Sequence, residues 1–212
     1  MITLAIGAHM RSTAKRYLLR DYPRQTVLEI LRTMSEHAST LPAPHTYPAP
    51  VRYTIVRFQY AVAIAHALES IGVPSSRANE VARAITWESI RVPMRLLHAA
   101  ASVLPGSRIQ ALRRVTDALF ATVFASPFKR HVHHHADQVA FTVTHCPIAE
   151  WFADAGQGGR TSSLACTLDY SMATLWKASL HRTATIANGD SHCDFCFRPA
   201  PQGTSATMEV SP

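Results

Sequence analysis

The amino-acid sequence predicts an α+β protein, and three observations predict it. Apolar residues recur at helical spacing through most of residues 1–127, period-two alternation with β-branched residues takes over after Pro127, and no internal repeat divides the 212 residues. The expected architecture is an N-terminal helical segment packed with a small antiparallel sheet and two helices in the C-terminal third. The boundaries are a helical region over 1–127 and an α+β region over 128–198 that forms one compact unit with the first. A tail over 199–212, rich in small and turn-forming residues, is expected to be flexible.

Each element has a local reason. Tyr17, Leu18, Tyr22, Val27, Leu28, Ile30, Leu31 and Met34 predict a helix over 13–38, split at Pro23. Residues 41–50 carry four prolines and form a stiff connector. A long helix spans 51–71 and is closed by Gly72 and Pro74. Ser75 or Ser76 caps the next helix, which runs to Trp87. Another starts near Pro93, pauses at Pro105-Gly106 and resumes over 107–124. Past Pro127, Val139 to His145 alternates as a strand, and Cys146-Pro147 ends it. A short helix over 148–155 and a second over 161–177 follow. Residues 181–186 and 193–198 then read as strands joined by a turn at Asn188-Gly189-Asp190.

Composition removes several function classes. Hydrophobic residues make up 47% and charged residues 17%, enough apolar material for a core. The net charge of +7 invites a nucleic-acid reading, but the arginines are scattered along helices without a basic run or recognition motif. No nucleic-acid partner is therefore expected, and the positive balance suits a small carboxylate substrate better. No stretch of 18 apolar residues supports a membrane span, and Arg11, Lys15 and Arg16 follow the apolar N-terminus where a signal peptide needs them before it. Four cysteines are too few for a disulfide scaffold. The expectation is a cytoplasmic protein off the membrane; a homo-oligomer stays open. Histidines 131, 133, 134 and 135 are read as a solvated loop, so no metal and no cofactor is expected.

The chemistry concentrates in the C-terminal third. Cys146 closes the first strand, Cys166 and Asp169 share one helical face, and Cys193 opens the last strand. Strand parity puts Cys193, Phe195 and Phe197 on the buried face and Asp194, Cys196 and Arg198 on the other. Side chains that diverge in this way disfavour zinc or a disulfide at Cys193-x-x-Cys196. Any one buried cysteine alone reads as a small hydrophobe.

The stretch Phe141-Thr-Val-Thr-His-Cys-Pro-Ile-Ala-Glu-Trp-Phe152, then Cys166-Thr-Leu-Asp169-Tyr170, the Gly189-Asp190 turn and Cys193-Asp-Phe195 with Phe197 resemble the L-2-amino-thiazoline-4-carboxylic acid hydrolase family. The resemblance covers about residues 139–198 closely and the N-terminal helices loosely. It implies hydrolytic opening of a five-membered amino-thiazoline ring to N-carbamoyl-cysteine. Cys146 is the expected nucleophile, because a helix N-terminus lowers a thiol pKa. Asp169 is the expected acid/base or the grip on the substrate amidinium, with Cys166, Cys193 and Tyr170 lining the pocket. His145 points to the opposite face from Cys146. A non-hydrolytic ring-rearranging enzyme, a ligand-binding module resembling vinyl-reductase domains and a zinc-stabilised interaction protein are the competing readings.

Overall fold

The computed structural model describes residues 2–200 and is α+β, with seven α-helices and one four-stranded antiparallel sheet among those residues. Of the tail expected at 199–212, residues 201–212 lie outside the described residues.

Helix α1 (Ile2–Leu18) begins well before the expected residue 13. Ile6, Met10, Ala14 and Leu18 form a buried stripe at spacing four, which the intervening Gly7, Thr13 and His9 obscure in the sequence. Pro23 does separate it from α2 (Arg24–Thr40), which buries Val27, Ile30, Leu31, Met34 and Ala38. Helix α3 (Ala49–Ser70) is apolar on most sides and packs against both of these helices and α4 (Ser75–Val103). At Gly7 the close approach of α3 matters: a side-chain carbon there would overlap the Tyr60 ring and hydroxyl.

Helix α4 is continuous, where the sequence predicts a stop at Trp87 and a restart near Pro93. Proline at 93 cannot donate to the carbonyl of Ser89, four residues back. That carbonyl is instead paired with His9 Nε2 of α1 at 3.2 Å, which removes the cost of the missing bond. Helix α5 (Arg108–Thr122) starts with a capping box between Ser107 and Gln110.

The sheet order is β1-β2-β4-β3. Strand β2 (Val139–His145) matches its expected span, whereas β1 (Lys129–His134) replaces the expected histidine loop. β1 is an exposed edge strand that needs no apolar face, and its charged and imidazole side chains discourage edge pairing. Strand β3 (Ala178–His181) precedes the expected 181–186, and β4 (Cys193–Pro199) follows the expected start. The β3–β4 connection is therefore an eleven-residue loop over 182–192, not a tight hairpin, although Gly189 does turn within it at φ +97°.

Two cores meet at a seam. One joins α1, α2, α3 and the first half of α4 with Trp151 and Phe152 of α6 (Pro147–Asp154). The other joins the inner sheet face to α5 and α7 (Leu168–Leu175). Trp87, Phe124, Phe128 and Cys146 pack against both.

Candidate active site

A cavity of about 300 Å3 opens at that seam, and the sequence's candidate thiols converge on it from three elements. Cys146, Cys166, Asp169 and Cys193 all line it. A separate concavity beside Arg113, Asp117, Arg130 and His133 holds none of them.

Cys146 ends β2 and occupies the N-cap position of α6, with backbone extended at φ −125°, ψ 97°, and Pro147 preset for the first helical position. The expected lowering of its pKa is overturned. Burial pushes the thiol up to about 12, and the amides of Ala149 and Ile148 at the helix start pull the other way without offsetting it. Desolvation wins because α6 has only eight residues and the sulfur sits in the cavity wall.

Cys166 and Asp169 do share the site, but not through a regular helix. Residues Ser162–Cys166 form a π-helical turn, and α7 starts two residues later. Thr167 Oγ1 donates to the carbonyls of Ser162 and Ser163 at 2.7 and 2.9 Å and holds the widened turn. Burial pushes the Cys166 thiol above its ordinary value, and the Asp169 charge pushes the same way.

Asp169 is the most perturbed carboxyl. Burial raises it from 3.8 to about 6, against the opposing pull of the Arg182 guanidinium. Arg182 was missed by the sequence reading, which put it on a strand. Its Nη1 donates to Asp169 Oδ2 at 2.7 Å and its Nη2 to the Cys166 carbonyl at 3.1 Å. The Arg182 side chain is 6% exposed and that of Asp169 21%. The guanidinium lies 5.3 Å from the ring centroids of both Tyr170 and Phe195.

The loop that delivers Arg182 is organised by two carboxylates. Asp194 accepts from the Thr183 and Ala184 amides and the Thr183 hydroxyl at 2.6–3.1 Å. Burial pushes Asp194 up, but these bonds outweigh it and hold the carboxyl below its ordinary value. Asp190 Oδ2 accepts from the Thr185 amide at 2.7 Å. These contacts explain why β3 stops at His181: the next residues bond to side chains of the loop and β4 rather than extend the ladder. Ile186 then donates its amide to Cys193 Sγ at 3.2 Å, and burial raises that thiol too.

Strand parity holds. Cys193, Phe195 and Phe197 pair across the ladder with Val143, Phe141 and Val139, and all of these but Val139 line the cavity. Cys196 faces away and donates to Gln138 Oε1 at 3.2 Å. Tyr170 is not part of the cavity wall: it is 38% exposed and flanks Arg182. His145 pairs with Glu150 at 3.1 Å and lies outside the wall. All four cysteines are free, and no three His, Cys, Asp or Glu side chains among the described residues are placed to hold a metal. No helix among the described residues is long and apolar enough to cross a membrane.

The residues brought together here fall inside a longer match. A family model described as L-2-amino-thiazoline-4-carboxylic acid hydrolase matches residues 62–197, more than half of the chain. The chain belongs to that family. The match starts within α3 and so takes in helices that the sequence motifs alone tie to the family only loosely. No curated protein sequence matches the chain at a significant level. Among solved structures, the unliganded Fe(II) H-NOX protein from K. algicida is similar at a TM-score of 0.46 and 9% identity, covering 95% of this chain and 98% of its own. An alanine-to-glycine mutant of it is similar at 0.44 and 8%, covering 92% and 97%. The Fe(II) named for those proteins is theirs.

Proposed function

We propose that this member of the family hydrolyses a small five-membered cyclic amidine bearing a carboxylate, such as L-2-amino-thiazoline-4-carboxylate, to N-carbamoyl-cysteine. One observation carries the reading: Asp169, a carboxyl that titrates near neutrality, shares a cavity with three thiols and is steadied by Arg182. A group with a pKa near the working pH both takes and returns protons efficiently.

In this reading Cys146 sulfur attacks the ring carbon that joins sulfur and nitrogen, and its proton passes to Asp169. The carbon–ring-sulfur bond breaks, and Asp169 returns the proton to the departing sulfur. Water then adds to the carbon held on Cys146, with Asp169 again taking a proton and passing it to the sulfur of Cys146 as that bond breaks. The amidinium proton goes to solvent and the urea product leaves, so one water is consumed and a carbon–sulfur bond becomes a carbon–oxygen bond. Burial raises the thiol far above the carboxyl, so the resting proton stays on sulfur. Attack therefore waits for the substrate's own cation, whose field beside the sulfur favours thiolate. Cys166 and Cys193 shape the pocket around the ring.

Incubation of the purified protein with L-2-amino-thiazoline-4-carboxylate, followed by mass spectrometry, tests this. Carbamoyl-cysteine is expected from the wild type, and Cys146→Ala and Asp169→Asn are expected to lose at least about 100-fold in rate with circular dichroism unchanged. Unchanged turnover in both variants removes the reading.

A further inference from the structure

We infer that the substrate carries a sizeable apolar, ring-containing substituent in addition to its carboxylate, and that Arg57 of α3 holds the carboxylate. The inference rests on the cavity being the reaction site. It starts from two mismatches between the cavity and a bare amino-thiazoline carboxylate.

The first mismatch is size and lining. Seven of the chain's eight phenylalanines, all but Phe152, line the cavity. Its volume of about 300 Å3 reaches the range that encloses drug-sized molecules, well beyond a five-membered ring with one carboxylate. The polar wall near the thiols is small by comparison. A hydrophilic substrate would leave most of the aromatic wall against water, whereas an apolar substituent buries it.

The second mismatch is charge and hydrogen bonding. The wall carries two guanidiniums, Arg57 and Arg182, and one carboxylate, Asp169. Asp169 and the Cys166 carbonyl occupy Arg182. Among the described residues Arg57 has no acidic partner: its Nη1 reaches the Tyr53 carbonyl at 3.4 Å, and its Nε is buried without a hydrogen-bond partner there. Trp176 Nε1, on another wall residue, is also buried without a partner among the described residues. A buried charge without a counter-charge costs free energy, and a carboxylate bound in the cavity beside Arg57 supplies one. The occupant that matches the wall is thus a carboxylate carried on an apolar, ring-containing body.

The test titrates three probes by tryptophan fluorescence in the first seconds after mixing, before turnover accumulates: 2-anilino-thiazoline-4-carboxylate, its methyl ester and 2-amino-thiazoline-4-carboxylate. The anilino acid is expected to bind at least tenfold more tightly than the amino acid analogue and at least tenfold more tightly than the ester. Arg57→Met is expected to bring the acid-to-ester ratio to about one while keeping the gain from the phenyl group, and Arg57→Lys to keep a preference for the acid. Equal binding of anilino and amino compounds overturns the inference, as does full acid preference in Arg57→Met. If Arg57→Met fails to fold, the wild-type comparison still decides, because an ester that binds as tightly as the acid overturns the assignment. Tight, acid-selective binding without hydrolysis would fail the proposed reaction alone; hydrolysis of the amino compound with no phenyl gain would fail this inference alone.

Discussion

Replacing Arg182 by methionine probes the electrostatics of the site directly. Methionine keeps much of the stem that packs between Tyr170 and Phe195 but removes the guanidinium that bonds Asp169 Oδ2 at 2.7 Å. Breaking a buried pair by deleting one partner costs about 3–5 kcal/mol. Asp169 retains 21% side-chain exposure, so the expected loss is discounted to about 2–4 kcal/mol at pH 8. The sign with pH follows from the raised carboxyl. Asp169 has a folded value of about 6 against an ordinary 3.8, so its contribution favours folding most below about pH 4 and is lost as the pH rises through 6. Arg182 limits that loss, and without it the folded value climbs further. The destabilisation by Arg182→Met is thus small at pH 5, less than half its value at pH 8. Urea denaturation at the two pH values measures it, and thermal unfolding at pH 8 shows a drop in Tm on the order of 10 °C. Equal losses at pH 5 and pH 8, or no loss at pH 8, would refute the buried ion pair.

Three further outcomes follow from the same geometry. Asp194→Ala frees two backbone amides and the Thr183 hydroxyl, costing about 1–3 kcal/mol by denaturation and lowering kcat/KM by loosening the loop that carries Arg182; because the folded carboxyl lies below its ordinary value, that stability is present above about pH 4 and fades as the pH falls. Cys196→Ser leaves turnover within twofold of wild type, since its sulfur points to Gln138 on the outer sheet face, and a large loss in the same assay would contradict that placement. Alkylation of Cys146 by iodoacetamide, followed by peptide mass spectrometry, rises about tenfold per pH unit through pH 9; a plateau near pH 7 would contradict the buried, raised thiol.

The sequence made some of this legible and hid the rest for identifiable reasons. Strand β2, the cysteine at its end and the parity that sends Cys193 inward and Cys196 outward follow from period-two alternation, and the structure has all of them. Continuity of α4 through Pro93 was not legible, because its rescue comes from His9, 80 residues away in the chain. Strand β1 was hidden because an edge strand with both faces wet needs no apolar alternation. The π-helical turn at Ser162–Cys166 leaves no periodic signature in five residues. Arg182 was placed on a strand, although the side-chain caps of Asp190 and Asp194 end β3 just before it. Arg57 is one of three charged residues, with Arg52 and Glu69, on the largely apolar α3, and only tertiary packing turns it alone of the three into the cavity. At Cys146 the helix-terminus argument named a real effect and omitted the larger one, desolvation, which depends on packing from distant segments.

The pH dependence of kcat/KM for L-2-amino-thiazoline-4-carboxylate, measured on the wild type and on Asp169→Asn, tests the central claim most directly. A carboxylate that takes a proton during attack is active once ionised, so the wild-type rate is predicted to rise through about pH 6 and level off, with that limb absent from the residual activity of the variant. A wild-type profile flat from pH 4.5 to 8, or a variant that keeps both the rate and the limb, would contradict it.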